Sequence, residues 1–216
     1  MIHATRSDRD DDALPLVLPQ FAHIRRAWDS HHQVVVAKIL PGEYYVTRHD
    51  EMIFTVLGSC VSACVRERNL GIGGMNHFML PLDRSGGTTG WTKDDVNGVT
   101  RYGNVAMEYL INDILKLGGQ RANLEFKVVG GGKVLDMELD VGARNATFVR
   151  EYLRTEGFAI MGADLGDRYA RKLLYSPASG KVRVKRLGAA VNRAVFDREK
   201  HVAIPVVGQA GSVELF

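Results

Sequence analysis

From Val34 to Gly58 the chain alternates short runs of aliphatic, β-branched and aromatic residues with turn-forming pairs: VVVAKIL, EYYVTR and MIFTVLG, with Pro41-Gly42 and His49-Asp50 between them. Runs of this length, bounded by such residues, predict three short strands. CVSACVRE and IGGMNHFML, separated by RNLG, predict a strand pair around a tight loop. The stretch 85–98, SGGTTGWTKDDVNG, is polar and glycine-rich and reads as a substrate-facing loop. The period then changes. Ala106, Leu110, Ile111, Ile114 and Leu115 recur at the three-and-four spacing of an amphipathic helix that Gly118-Gly119 would stop. LEFKVVGGG at 124–132 predicts a strand running into glycines, and GARNATFVREYLRTEG a second helix with Ala146, Val149, Tyr152 and Leu153 on one face. FAIMGADLG, ARKLLYS and KVRVKRL predict three more strands, the last two joined by a turn at Pro177 to Gly180, and the closing VELF a terminal strand or docking tail. Strand-rich runs on either side of central helices predict an α+β fold with packed sheets, not a doubly wound parallel sheet. Residues 1–32 are charge-rich, proline-punctuated and without period, and read as a flexible arm with a short ordered piece near Ile24 to Trp28. That leaves 33–190 as the main domain and 191–216 as a C-terminal extension.

Composition narrows the classes of function. Lys plus Arg number 28 against 25 for Asp plus Glu, a net of +3 too slight and scattered for a nucleic-acid groove. Alternating Lys181, Arg183, Lys185 and Arg186 fit the open face of an edge strand. Two cysteines do not make a disulfide framework, which favours a reducing compartment. The apolar run LPLVLPQFA at 14–22 is short, broken by Pro15 and Pro19, and preceded by the acidic SDRDDD. Neither a signal peptide nor membrane insertion is indicated, and the expected location is the cytoplasm.

Three chemistries can be weighed on spacing. VGGGKV at 129–134 lacks the earlier glycine and the Ser or Thr after lysine that a phosphate-cradling loop needs, and GIGGMN at 71–76 precedes a strand instead of a helix. Glycines at strand ends that permit close backbone approach are the better reading. Cys60, Cys64 and His77 could supply three metal ligands, but no second cysteine pair or clear fourth donor accompanies them, so no metal is expected. The third chemistry is nucleophilic. A hairpin centred between Arg68 and Asn69 would set Cys60 directly opposite His77, with Cβ atoms about 5 Å apart, and a β-bulge would break that register. A neighbouring imidazole generates the thiolate, the reactive form of cysteine. Gly58 and Ser59 relieve crowding before Cys60, so a substrate carbonyl could approach and nearby N–H groups could hold its oxyanion. Cys64, flanked by Ala63 and Val65, reads as packing.

The residues that carry this chemistry also carry a likeness. LGSCV followed by GIGGMNHFMLP, with 17 positions from Cys60 to His77, then VVGGGKVL, DVGARNATFVREYLRTEGFAI and GDRYARKLLYSPASGKVRVKRL, resembles the chemoreceptor glutamine deamidase family, CheD, over roughly residues 40–190. The resemblance implies hydrolysis of glutamine side-chain amides on methyl-accepting chemotaxis receptors, beside membrane-bound receptor arrays, with no cofactor. It also implies a layered α+β sandwich of mixed sheets flanked by helices, similar to cysteine-dependent toxin deamidases. Its Cys-His-Thr triad maps onto Cys60 as nucleophile, His77 as base and Thr55, the one threonine between Thr47 and Cys60. Gly58, Ser59 and Asn76 become the residues near the oxyanion and substrate, and a chemotaxis phosphatase is a regulatory partner the family permits. Two other readings stay open: a silent receptor-binding adaptor, and hydrolysis of receptor methyl esters at the same site.

Overall fold

The structure is a computed structural model and describes residues 14–80, 93–134 and 140–200. These residues form, in order, β1 (Arg25–Asp29), β2 (Val34–Lys38), β3 (Tyr44–Thr47), β4 (Glu51–Leu57), β5 (Val61–Glu67), β6 (Gly73–Asn76), α1 (Lys93–Lys116), β7 (Leu124–Gly130), α2 (Val141–Thr155), β8 (Ile160–Leu165), β9 (Arg171–Ser176), β10 (Lys181–Arg186) and α3 (Ala189–Lys200).

The strands make two five-stranded sheets, β1-β2-β4-β9-β10 and β3-β6-β5-β7-β8. β2 with β4 and β7 with β8 are parallel, and the other pairs are antiparallel, so both sheets are mixed. Burial reveals the layering. In β4 buried Glu51, Ile53, Thr55 and Leu57 alternate with half-exposed Met52, Phe54 and Val56, the pattern of a strand covered on one face. β5 is buried at every position except Arg66, because the first sheet covers one of its faces and helices the other. α1 lies on β3, β5 and β6, and α2 on β5 and β7. The result is an α+β sandwich of two packed mixed sheets with helices outside the second. Leu110 and Ile114 of α1 and Val149 and Leu153 of α2 are sealed in the shared core, each contributing roughly 1.5–3 kcal/mol by leaving water.

The ordered piece expected near Ile24 to Trp28 is the edge strand β1. It is fastened by Arg26, whose guanidinium pairs with the buried Glu51 carboxylate at 2.9 Å and donates to the Pro15 carbonyl, while the Tyr45 hydroxyl donates to Glu51 at 2.6 Å. The opposite edge is β10, whose Lys181, Arg183 and Lys185 face solvent between half-buried valines.

Two expectations change. Residues 93–98 belong to α1 and not to a loop, while 85–92 and the closing VELF lie outside the described residues. The β5–β6 hairpin pairs Cys64 with Met75 and Val61 with Phe78, so Met79 stands opposite Cys60 and His77 is its diagonal neighbour. The cause is a wider loop than assumed. The Glu67 carboxylate caps it by accepting from the N–H groups of Asn69 and Leu70, and Gly71 takes the left-handed φ of 69°. A slip of two keeps side chains on the same face, whereas a slip of one would have separated them. α3 spans the boundary drawn at 190 between the main domain and the extension.

Candidate active site

The site forms where the two sheets meet. Thr55 occupies an inward position of β4 in the first sheet; His77 follows β6 and Cys60 precedes β5 in the second. His77 is held by its own backbone, its N–H donating to the Glu43 carbonyl and its carbonyl accepting from Gly42. Across the sheet seam, Thr55 Oγ1 lies 2.7 Å from His77 Nδ1 and donates its hydrogen to the Ile39 carbonyl at 2.9 Å. A hydroxyl has one hydrogen, and a carbonyl can only accept. Nδ1 must therefore carry the proton that bridges to Thr55, which leaves Nε2 with a free lone pair. Nε2 is buried without a hydrogen-bond partner. A nitrogen of His77, the Cys60 sulfur and a carboxylate oxygen of Glu199 lie within 4.8 Å of one another. Cys60, His77 and Thr55 are thus brought together, although not through the register first expected.

The turn before Cys60 gathers three amides on one carboxylate, with Gly58 and Cys60 on Oε1 and Ser59 on Oε2. The N–H groups of Gly58, Ser59 and Cys60 donate to the Glu199 carboxylate at 2.6, 2.9 and 3.3 Å, and the Ser59 hydroxyl donates to it at 2.7 Å. Convergent donors of this kind bind a developing oxyanion, and they require a backbone held from behind. The glycine run after β7 does this. Gly131 N–H donates to the Cys60 carbonyl and Gly132 N–H to the Gly58 carbonyl. Gly130, at φ 120°, passes so near that a Cβ there would lie 2.2 Å from the Cys60 oxygen. The close-approach reading of these glycines is correct.

Asn145 completes the support. It lies in the buried stripe of α2, donates to the Ser59 carbonyl at 2.8 Å and accepts from Leu80 N–H at 2.9 Å, fixing the turn to the strand end beyond His77. Sequence reasoning missed it, although a polar residue between Val141 and Val149 on an apolar face was a visible signal. Asn76, expected near the oxyanion, instead accepts from Ala63 N–H and donates to the Ala106 carbonyl, pinning β5 to α1. Cys64 is buried packing in β5.

Burial dominates the electrostatics. His77 is pushed down from 6.5 to about 3 by desolvation, so its imidazole is neutral. The Cys60 thiol is pushed well above its ordinary value, first by desolvation and then by the charge and hydrogen bonding of Glu199. Cys60, His77 and Glu199 are also a donor set suited to zinc. With the thiol protonated and both carboxylate oxygens engaged by N–H and O–H donors, this arrangement favours a closed hydrogen-bonded site over a ligand cage.

A thiol beside the bare nitrogen of an oriented imidazole, facing convergent amides, can carry out cysteine-dependent acyl transfer. Comparison with known proteins narrows the class. Residues 79–186 match the family model described as CheD chemotactic sensory transduction, a match that begins just after His77. The chain is 55% identical over 205 residues to a probable chemoreceptor glutamine deamidase CheD of Halorhodospira halophila, covering 94% of each protein. It is 49% identical over 204 residues to that of Hahella chejuensis, and 42% identical over 215 residues to that of Saccharophagus degradans, at 94–98% coverage. The chain belongs to the CheD family. Among the described residues, no helix is long and apolar enough to cross a membrane.

Proposed function

We propose that the protein hydrolyses the side-chain amides of glutamines on chemoreceptors, yielding glutamate and ammonia. One observation carries this reading: the amides of Gly58, Ser59 and Cys60 gather on a glutamyl carboxylate, the chemical form of the product, next to Cys60 and His77. His77 Nε2 takes the Cys60 proton, and the thiolate attacks the carboxamide carbon while the N–H groups of Gly58 and Cys60, which share one oxygen of Glu199, hold the oxyanion. The imidazolium returns the proton to the departing ammonia, leaving a thioester. His77 then activates water, which releases glutamate and restores the thiol. Thr55 keeps Nδ1 protonated throughout, and these groups all lie within 33–190, the segment read as the catalytic domain.

On this reading the protein works in the cytoplasm beside membrane-bound receptor arrays, and a chemotaxis phosphatase is the regulator to seek by pull-down. The decisive test incubates a receptor cytoplasmic fragment with wild type, Cys60→Ala and His77→Ala. Mass spectrometry should find the mass change of NH2 replaced by OH at specific glutamines with wild type and not with either variant. Equal conversion by Cys60→Ala would overturn the assignment, and a parallel methyl-esterified fragment ranks ester against amide hydrolysis.

A further inference from the structure

The nucleophile and base are 0% and 1% exposed, so a protein substrate cannot reach them as the chain is folded. Among the described residues, α3 reaches over them. Of its described side chains, Asn192, Val195 and Glu199 face inward, spaced to lie on one side of a helix. Asn192 clips the helix down, accepting from Ala170 N–H at 3.0 Å and donating to the Arg168 carbonyl at 2.9 Å. Val195 packs with Val134 and Ala170 and reaches over Gly58, where a Cβ would come within 3.1 Å of it. Glu199 enters the site itself. Its carboxylate takes all three amides and the Ser59 hydroxyl, and Oε1 stops 3.9 Å from His77 Nε2.

A buried carboxylate is costly unless its oxygens are fully hydrogen-bonded, and here the donors to Oε1, the N–H groups of Gly58 and Cys60, are the ones the oxyanion would need. Its side chain is also the one a glutaminyl residue leaves behind after hydrolysis. We infer that α3 is a tethered product analogue that holds the enzyme closed, and that a substrate helix enters by replacing it. Resting on the deamidase reading, this sets the geometry of recognition. The incoming helix presents its glutamine where Glu199 lies, and a small or β-branched apolar residue four positions earlier where Val195 lies. The charge of Glu199 beside the thiol keeps the closed form disarmed as well as covered.

The test uses full-length wild type, Glu199→Ala, Glu199→Gln and Asn192→Ala. Iodoacetamide labelling of Cys60, with Cys64 as the internal control, should accelerate about tenfold or more in Glu199→Ala, since hydrogen bonds to a charged group are lost. Asn192→Ala should accelerate it too, from a residue outside the pocket, which guards against a folding defect in the first variant. Unchanged Cys60 labelling in both overturns the closure. Glu199→Gln supplies a second readout, because it places a substrate side chain in the site. Residue 199 should be recovered as glutamate, with a rate independent of protein concentration, and should stay glutamine when Cys60→Ala is added. A persistent amide in a preparation that deamidates the receptor fragment overturns the product-analogue placement and leaves the deamidase reading intact. Failure of every variant on the receptor fragment sinks the deamidase reading, while labelling still decides whether α3 closes the site.

Discussion

Thr55 stands where many hydrolytic triads have a carboxylate, and the difference is one of charge. An aspartate orients the imidazole and also stabilises the imidazolium; a threonine only orients it. With a neutral partner and full burial, His77 stays uncharged until it takes the Cys60 proton, so the thiol and imidazole rest as a neutral pair. Removing the hydroxyl strands a buried Nδ1–H, a loss worth about 1–3 kcal/mol, and lets the ring favour the wrong tautomer. Thr55→Ala should therefore lower kcat by about 10- to 100-fold, less than loss of Cys60 or His77, while Thr55→Ser restores most of it. Steady-state kinetics on a receptor fragment checks this, and full activity in Thr55→Ala would assign the orienting role elsewhere.

At the level of elements, α2 acts on the chemistry without touching it. Its first turn is capped by Asp140, whose side chain accepts from Ala143 N–H, and the helix then delivers Asn145 to the Ser59 carbonyl. Asn145→Ala should lower kcat more than it changes KM and leave two buried groups unpaired, costing about 1–3 kcal/mol of stability for each. Urea denaturation beside kinetics separates the effects; an unchanged kcat would show that the turn before Cys60 stands without it. Strands and the first two helices were legible because their apolar positions keep the periods of 2 and 3.6. α3 was not, because among its described side chains the buried Asn192 and Glu199 are polar and break the apolar stripe by which a buried face is recognised. Cys60 beside His77 was anticipated from spacing, and Thr55 only through the family resemblance, while the β5–β6 register was not legible, since the Glu67 cap that widens the loop is a side-chain effect absent from turn patterns. Asn145, given no role beforehand, supports the turn beside which Asn76 was expected: proximity in sequence to His77 said less than the face of a distant helix.

For the molecule as a whole, the buried imidazole ties stability to pH. His77 in the fold resists protonation down to about 3, whereas in the unfolded chain it takes a proton near 6.5. Between those values the unfolded state binds more protons, so this contribution is complete above 6.5 and is lost as pH falls toward 3. One such group gives a slope of about 1.4 kcal/mol per pH unit. Urea midpoints should fall from about pH 6 to 4, and His77→Gln should flatten the slope by that amount; parallel profiles would refute it. The same sealing governs durability. Cys60 and Cys64 are both shut away from solvent, so dissolved oxygen or peroxide meets sulfur only when the fold or α3 momentarily yields. Shelf life without reductant is consequently a clock on those excursions, and conditions that tighten the fold should preserve the thiols as well as a scavenger does.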